Sequence, residues 1–257
     1  MEKISKISVV VPVYNEVGNI SLLADQIGAV MAPLPYEWEL WLIDDGSTDG
    51  SLDAIRSICR VMPQAGFISF ARNRGQSAAF GAGFAAATGD AVITMDADLQ
   101  NDPADIPAMI ELYEQGFDMV IGWRYDRQDA SSRKFASKIG NAFRNFLTHE
   151  TVHDTGCSLK IMRASMARQL PMFKGMHRFL TTLMKMNGAK VAEIKVNHRA
   201  RHSGESKYGT FSRGLAASQD LLAVNWMLRR NFRPEIREKQ CPSGTAQGSG
   251  QKTEGID

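Results

Sequence analysis

The sequence predicts an α/β fold built on a doubly wound, mostly parallel sheet. Over the first 121 residues, short β-branched runs alternate with longer helical segments. Polar residues follow each of the first four of these runs. No stretch reaches the roughly 20 apolar residues that a membrane-spanning helix needs. The 257 residues, 44% of them hydrophobic and 23% charged, are sufficient for one sizeable core.

The alternation gives the order of the elements. Residues 7–13 are typical of a buried strand, and residues 19–31 are predicted to form the helix that follows it. The pattern repeats with strands at 38–44, 66–70, 91–95 and 118–121 and with helices at 51–62, 77–88 and 104–115. Strands that alternate with helices pair in parallel, and the right-handed crossover rule places helices on both faces of the sheet.

The pattern loosens after residue 121. The later predicted elements are a helix at 133–147, strands at 158–162 and 190–197, and a final helix at 211–230. From about residue 239 the sequence has no apolar periodicity, so residues 239–257 are expected to form a disordered tail. Residues 1–238 are predicted to form one domain with two halves, 1–122 and 123–238.

Charge and cysteine content limit the partners and the compartment. A formal charge of +2 is too small to indicate a nucleic-acid partner, and none is expected. The three cysteines, Cys59, Cys157 and Cys241, have no repeated spacing, which argues against a disulfide framework and favours a reducing compartment. The N-terminal residues lead directly into a strand and lack a signal-peptide apolar stretch. We therefore expect a cytoplasmic protein that is soluble or rests on a membrane.

Polar side chains follow the first four predicted strands. In an open α/β sheet, ligands bind beyond the carboxyl ends of the strands. If the strands are parallel, these side chains converge on one edge. The four segments are Tyr14-Asn15-Glu16, Asp44-Asp45, Arg72-Asn73-Arg74 and Asp96-Ala97-Asp98.

The segment from Asp96 to Gln100 carries the strongest chemical signal. Residues two apart on an extended chain point the same way, so Asp96 and Asp98 can face one site. Two adjacent carboxylates repel unless a cation lies between them or one keeps its proton. Their oxygens suit Mg²⁺ or Mn²⁺, which would bridge the diphosphate of a nucleotide donor. Helix capping is the competing interpretation, and it is favoured for Asp102 rather than for this pair.

The segment 43–50 combines a strand end, a glycine turn and residues that cap helices. Ser47, Thr48 and Asp49 are interpreted mainly as caps. Asp44 and Asp45 precede the turn and could accept hydrogen bonds from a base or from ribose hydroxyls. The GxGxxA pattern at 81–86 falls inside an Ala-rich helix rather than between a strand and a helix, so it indicates close helix packing and not a dinucleotide site.

Together these motifs resemble family 2 glycosyltransferases of the GT-A fold. The shared motifs of the first half are VVPVYNE at 10–16, IDDGSTD at 43–49 and MDADLQ at 95–100. The second half resembles the polyprenol-phosphate branch, which contains dolichol-phosphate mannosyltransferase and bacterial undecaprenyl-phosphate sugar transferases. Its motifs are GWRY at 122–125, residues 133–141, DTGCSLK at 154–160 and RHSGESKYG at 201–209. The resemblance covers about residues 5–230.

The resemblance implies a nucleotide-sugar half, 1–122, and an acceptor half, 123–238. Base and ribose would be held by Pro12, Tyr14, Glu16 and Asp45. Asp96 would lie near the donor phosphates and sugar, while Asp98 and Gln100 would bind the metal. The phosphates of donor and acceptor would be surrounded by Arg124, Arg133, Ser137 and Lys207. Two departures from the family are a shorter loop between Arg124 and Arg133 and no transmembrane helices after the catalytic part.

The basic second half favours a phosphate acceptor. A hydroxyl acceptor needs a general base, whereas a phosphate monoester is already an anion at pH 7 and needs only positioning and charge compensation. Arg201, Ser206 and Lys207 lie in a Gly- and Ser-rich stretch that is typical of a mobile phosphate-binding loop. We therefore expect inverting transfer from a UDP- or GDP-sugar to a polyprenyl phosphate such as undecaprenyl or dolichyl phosphate.

Several alternatives stay open at this stage. Glu205 or His202 could act as a base, and the acceptor could be a saccharide or another hydroxyl. A non-catalytic nucleotide-sugar-binding protein is a further possibility, although the Asp96/Asp98/Gln100 set argues against it. Among the basic residues, a solvated face is the favoured interpretation for Lys195, Arg199 and Arg213. The sequence does not fix the sugar, the lipid length or whether the chain forms a homo-oligomer.

The apolar run at 221–230 is too short to span a bilayer and ends in an Arg pair. As a helix it could lie in the membrane interface, with Trp226 at the headgroups and the arginines on anionic lipid. The equally weighted alternative is a terminal helix packed on the sheet. A separately encoded membrane protein is also expected as a partner.

Overall fold

The computed structural model describes residues 4–125, 152–200 and 210–232, with side chains in the last segment from residue 219 onward. Its centre is a seven-stranded sheet in the order β3-β2-β1-β4-β6-β5-β7. The strands are β1 Lys6–Val13, β2 Glu37–Asp44, β3 Ala65–Ser69, β4 Ala91–Thr94, β5 Met119–Arg124, β6 Lys160–Arg163 and β7 Val191–Val196. All pairs are parallel except those of β6, which is antiparallel to both β4 and β5.

Helices cover both faces of the sheet. They are α1 Ile20–Met31, α2 Ser51–Val61, α3 Gln76–Ala86, α4 Ile106–Glu114, α5 Ala164–Ala167, α6 Leu180–Met186 and α7 Thr210–Arg230, with 3₁₀ turns at Pro103–Asp105 and Met176–Phe179. The doubly wound, mostly parallel fold expected from the sequence is confirmed. The short α5 and α6 were not predicted, because neither is long enough to display a helical repeat. The predicted helix 133–147 and tail 239–257 lie outside the described residues.

Two apolar layers sandwich the sheet. Val9 and Val11 face the layer of α1, α2 and α4, whereas Val10 faces the layer of α3, α6 and α7. This alternation follows from the two-residue period of a strand. Helix α1 buries an i, i+3, i+4 stripe at Ile20, Leu23, Ala24, Ile27 and Met31. Each fully buried aliphatic side chain of this kind contributes about 1.5–3 kcal/mol through removal of apolar surface from water.

The glycines of α3 serve close packing, as the sequence predicted. A Cβ atom at Gly83 would overlap the side chain of Val10 on β1, and one at Gly81 would overlap Met172. Helix α3 therefore lies nearer the sheet than a larger residue would allow. Throughout residues 4–125, 152–200 and 210–232, every helix is too short or too polar to cross a bilayer.

Candidate active site

The carboxyl ends of β1, β2 and β4 lie at one edge of the sheet. Strand β1 pairs in parallel with both neighbours, with Val13 opposite Asp44 and Val10 opposite Thr94. The N–H of Asp45 donates to the carbonyl of Val13 at 2.8 Å, so the pairing continues past the end of β2. The polar segments that follow these strands are therefore neighbours in space.

Hydrogen bonds join the loop after β1 to the loop after β2. The N–H of Asn15 donates to Ser47 Oγ at 3.0 Å, and Asn15 Oδ1 accepts from the Thr48 N–H at 2.8 Å. The N–H of Glu16 donates to Ser51 Oγ at 2.8 Å. The residues expected to hold the nucleotide on this side, Pro12, Tyr14 and Glu16, are partly exposed at the same edge.

Asp44 and Asp45 are buried and bound to the chain itself. Asp44 Oδ1 accepts from the Ser47 N–H at 3.0 Å, and its Oδ2 accepts from Ser69 Oγ at 2.7 Å. Asp45 accepts from the N–H groups of Arg74 at 2.6 Å and Gly75 at 2.8 Å. Burial raises the pKa of Asp45, and the Asp44 charge adds to this against the effect of the two N–H donors. Each carboxylate oxygen can still accept a second hydrogen bond, so their nucleotide role stays a prediction.

Gly46 permits the close crossing of two loops. Its φ is +70°, in the left-handed region that favours glycine. A Cβ atom there would lie 2.6 Å from the carbonyl carbon of Arg72 and 2.7 Å from the nitrogen of Asn73. The turn after β2 and the loop after β3 can therefore meet only if residue 46 lacks a side chain.

The turn after β4 alternates between buried and accessible side chains. Ala97 and Leu99 are buried, whereas Asp96, Asp98 and Gln100 are partly exposed. Leu99 has a φ of +61°, and Asn15 in the neighbouring loop has +55°. Within the described part of the chain these two are the non-glycine residues with positive φ, and both lie at this edge. Such strained backbone clusters at functional sites, where the surrounding structure holds it.

Asp96 contacts helix α3 and the strand β6 region. Its Oδ1 accepts from Gln76 Nε2 at 2.6 Å, and its N–H donates to Ser158 Oγ at 3.3 Å. Burial and the nearby charge of Asp98 raise the pKa of Asp96 to about 6, against the effects of Ser158, Lys160 and Arg124. The charge of Asp98 therefore disfavours the ionised form of Asp96, and the shared role of the pair stays a prediction.

The oxygens of this turn fit a hard divalent cation. Asp98 Oδ1 accepts from the Gln100 N–H at 3.2 Å, which holds the two side chains on one short turn. Within the described residues no group of three or more His, Cys, Asp or Glu side chains is arranged to hold a metal ion. Mg²⁺ is commonly held by one or two carboxylates together with substrate phosphates and water. The residues present therefore fit a cation that binds together with a diphosphate.

Arg124 at the end of β5 forms a bidentate ion pair. Its Nε lies 2.7 Å from Asp154 Oδ2, and its Nη2 lies 3.0 Å from Asp154 Oδ1. Burial acts to lower the pKa of Arg124, but the hydrogen bonds and charge of Asp154 raise it above its ordinary value. A phosphate that contacts Arg124 would therefore share the guanidinium with Asp154, a partner that the sequence did not predict.

Among the basic residues of the second half that the structure describes, Lys160 and Arg163 do not share one cationic face. Lys160 is buried beside Asp96 and Asp154, and burial lowers its pKa. Arg163 pairs with Asp118 at 2.7 Å and lies at the opposite edge of the sheet, because the antiparallel β6 runs away from the site. Arg163 therefore lies away from the carboxyl edge at which the phosphates would bind.

Lys195 and Arg199 each contact neighbouring side chains, so neither is simply a solvated surface charge. Lys195 Nζ lies 4.5 Å from the ring centroid of Tyr125 and 5.6 Å from that of Trp123. Arg199 Nη2 lies 2.6 Å from Asp102 Oδ1. Asp102 also accepts from the Ala104 N–H at 2.9 Å, which confirms its predicted capping role.

Several predicted site residues lie outside the described part of the chain. They are Arg133, Ser137, Arg201, Ser206 and Lys207, together with the alternative bases His202 and Glu205. Their roles stay predictions. Sequence reasoning did not single out Gln76, Ser158 or Asp154. Asp154 and Ser158 belong to the DTGCSLK motif, which was a usable signal, whereas nothing local pointed to Gln76.

The doubly wound sheet, with an Asp-x-Asp-x-Gln turn at the carboxyl end of a central strand, has the architecture of the GT-A glycosyltransferases. The profile of glycosyl transferase family 2 matches residues 8–170, and the chain belongs to that family. The family resemblance drawn from the motifs is thereby confirmed. The protein is an enzyme of the glycosyltransferase class.

Two relatives of similar sequence carry polyprenyl-phosphate names. The chain is 40% identical over 234 residues to the dodecaprenyl-phosphate galacturonate synthase of Rhizobium johnstonii, covering 89% of this chain and 69% of the relative. It is 39% identical over 223 residues to an undecaprenyl-phosphate 4-deoxy-4-formamido-L-arabinose transferase of Photorhabdus laumondii, covering 86% of this chain and 68% of the relative. The chain thus spans about two thirds of the length of these relatives.

Solved structures support the fold. Glucosyl-3-phosphoglycerate synthase of Mycobacterium tuberculosis, in complex with Mn²⁺, UDP-glucose and phosphoglyceric acid, matches with a TM-score of 0.64 and 19% identity, over 89% of this chain and 81% of that one. A mannosyltransferase of Pyrobaculum calidifontis, in complex with GDP-mannose and Mn²⁺, matches with a TM-score of 0.62 and 19% identity, over 91% and 66% of the two chains. At this level of identity the likeness establishes the fold alone.

Proposed function

We propose that this enzyme transfers a sugar from a nucleotide diphosphate sugar to a polyprenyl phosphate. The observation that carries the proposal is the turn from Asp96 to Gln100, whose polar residues are partly exposed beside the polar ends of β1 and β2. The acceptor class is inferred from the similarity to two polyprenyl-phosphate sugar transferases.

The donor would bind along the carboxyl edge, in the nucleotide-sugar half 1–122. Tyr14 and Glu16 are partly exposed at this edge, beside the buried carboxylates of Asp44 and Asp45. Together these side chains would hold the base and the ribose of the nucleotide. A UDP-sugar and a GDP-sugar are both compatible with this edge, since distant proteins of the same fold bind either one.

Asp98 and Gln100 would hold Mg²⁺ or Mn²⁺. When bound, the ion would neutralise the negative charge that develops on the departing diphosphate. Asp96, held by Gln76, would lie beside the sugar and the donor phosphates. Asp45 would keep the loop after β3 closed against this edge through its bonds to Arg74 and Gly75.

The acceptor phosphate needs no deprotonation. One of its oxygens forms the new bond to the anomeric carbon while the bond from that carbon to the diphosphate oxygen breaks, which inverts the configuration. Cationic side chains would position the phosphate and offset its charge. The residues proposed for this role are Arg124, Arg133, Ser137, Arg201, Ser206 and Lys207.

The test is a transfer assay with purified protein. Labelled UDP- and GDP-sugars, including UDP-galacturonate, are incubated with undecaprenyl phosphate or with simple saccharides, with Mn²⁺, Mg²⁺ or EDTA. We expect an inverted glycosyl phospholipid, no product with EDTA, and at least a hundredfold loss in Asp98→Asn, in line with removal of a group that stabilises the transition state. Asp53→Asn on the exposed face of α2 is the matched control. Transfer to saccharides alone, product of retained configuration, or transfer unaffected by EDTA would contradict the proposal.

We also propose that α7 places the enzyme peripherally on the cytoplasmic face of the membrane. Leu221 and Val224 pack into the core, whereas Leu222 and Trp226 are 64% and 63% exposed. Arg229 and Arg230 continue the outward stripe at the helical spacing, so apolar and cationic side chains share one face. Anionic lipid complements that face. The predicted packed terminal helix and the predicted interfacial helix would then be two faces of the same element.

Vesicle flotation tests this placement. We expect binding to vesicles that contain phosphatidylglycerol, weaker binding to phosphatidylcholine alone, and loss of binding in Leu222→Ser/Trp226→Ser. Leu22→Ser, which alters an exposed leucine on α1, is the matched control. Equal flotation of the double variant would contradict the placement, and concentration-dependent dimerisation through the same residues would assign the face to a second copy. A separate membrane protein as partner and a homo-oligomer stay predictions.

A further inference from the structure

The chain that follows β7 forms a dense set of contacts with the turn that follows β4. The N–H of Asn197 donates to Asp105 Oδ2 at 2.8 Å, and Asn197 Nδ2 donates to Asp105 Oδ1 at 2.9 Å. His198 forms an isolated antiparallel bridge with Asn101. Three consecutive residues, 197–199, therefore run alongside residues 100–105.

Arg199 makes the contacts nearest the proposed cation site. Its N–H donates to the carbonyl of Gln100 at 2.9 Å. Its guanidinium lies 3.1 Å (Nε) and 2.6 Å (Nη2) from the two oxygens of Asp102. The remaining nitrogen, Nη1, donates to Gln26 Oε1 on α1 at 2.9 Å. A planar guanidinium can span two partners in this way, which a lysine ammonium on a flexible stem does not reproduce.

The turn that Arg199 holds is the one with strained backbone. Leu99, with φ of +61°, lies between Asp98 and Gln100. A conformation of this kind persists only when neighbouring groups fix both of its ends. On one side Leu99 is preceded by the end of β4. On the other side the backbone N–H of Arg199 binds the Gln100 carbonyl, and its guanidinium binds the Asp102 carboxylate. Asn101, which lies between them, accepts from Ser158 Oγ at 2.6 Å.

We propose that Arg199 is a positioning residue that holds residues 98–102 in the geometry in which Asp98 and Gln100 share a divalent cation. Arg199 itself would touch neither the cation nor the substrates. This inference rests on the proposed function for the identity of the cation site, but the stiffness of the turn is a property of the chain alone.

The first experiment measures hydrogen exchange by mass spectrometry on the peptide that covers residues 95–105. In Arg199→Ala we expect exchange in this peptide to accelerate about tenfold, because the guanidinium contacts with Asp102 and Gln26 are lost while the backbone bond to Gln100 remains. Arg199→Lys keeps the charge but not the span to Gln26, so its effect should be intermediate. Arg56→Ala, which removes the exposed ion pair with Asp53, is the matched control and should leave the peptide unchanged.

The second experiment measures Mn²⁺ binding by electron paramagnetic resonance in the presence of UDP or GDP, because the residues of this turn fit a cation that binds together with a diphosphate. We expect Arg199→Ala to weaken Mn²⁺ binding about tenfold relative to the wild type, the shift that corresponds to loss of one charge-assisted contact. Asp102→Asn keeps an oxygen for the Ala104 N–H but loses the ion pair, so it should have the same effect. The double variant should bind Mn²⁺ no more weakly than Arg199→Ala alone, because that single variant has already lost the contact between Arg199 and Asp102.

The outcomes separate the two proposals. Faster exchange together with weaker Mn²⁺ binding supports the positioning role, and unchanged exchange or unchanged Mn²⁺ affinity overturns it. If Arg199→Ala fails to fold, Arg199→Lys and Asp102→Asn decide the question on the same two measurements. A wild type that binds Mn²⁺ through this turn but makes no glycosyl phospholipid would refute the proposed function and leave the positioning role intact.

Discussion

Replacement of Asp154 by Asn is expected to destabilise the fold by about 3 kcal/mol, because it leaves the charge of Arg124 without its partner in a nearly buried place. The side chains of Arg124 and Asp154 are 16% and 7% exposed, and two hydrogen bonds of 2.7 and 3.0 Å join them. Breaking a buried pair costs about 3–5 kcal/mol. The lower value applies, since Arg124 keeps some contact with solvent and lies near Asp96.

Equilibrium unfolding in urea measures this loss directly, and thermal unfolding should show a fall in Tm of about 6–12 °C for a chain of this size. Asp53→Asn is the internal control, because Asp53 and Arg56 are 80% and 54% exposed and such pairs contribute about 0–1 kcal/mol. Arg124→Met/Asp154→Leu should recover much of the lost stability, since it removes both charges together. A loss below about 1 kcal/mol in Asp154→Asn would refute the argument, because the pair would then behave as a surface pair.

Three further predictions concern stability. Gly46→Ala should cost about 2 kcal/mol or more in urea unfolding, because its φ of +70° is unfavourable for alanine and its Cβ would lie 2.6 Å from the Arg72 carbonyl carbon; a neutral result would mean that the loops separate without cost. Gly83→Ala should cost about 1–3 kcal/mol by overpacking against Val10, and a stabilised variant would contradict the close approach of α3. Hydrogen bonds from Thr88, Ser8 and Lys6 outweigh the effect of burial and lower the pKa of Glu39 from 4.5 to about 2. The stabilisation of the fold by ionised Glu39 is therefore present above about pH 4.5 and is lost as the pH falls toward 2. The difference in unfolding free energy between wild type and Glu39→Gln should shrink over that range. A constant difference would rule out this linkage.

Local patterns in the sequence were sufficient for most of the fold. Residues 9–13 of β1 and 40–43 of β2 are continuously apolar and mostly buried, because both strands lie inside the sheet with helices on both faces, and that requirement is visible in each segment alone. The insertion of β6 between β4 and β5 was not visible. A four-residue apolar strand has the same appearance whichever way it runs, since its direction is set by pairing with residues about 40 to 70 positions away in the chain.

The candidate site was likewise predictable from the sequence in part, and the rest depended on the tertiary structure. The sequence by itself indicated which strands end in carboxylates and that Asp96 and Asp98 can face one site, because both follow from spacing along the chain; the role of Gln100 came from the family resemblance. Only the tertiary structure decided which charges are already paired. Arg124 binds Asp154, 30 residues away, and Arg199 binds Asp102, 97 residues away. The partner of a charged side chain depends on how distant segments pack, and a local sequence pattern contains no record of that packing.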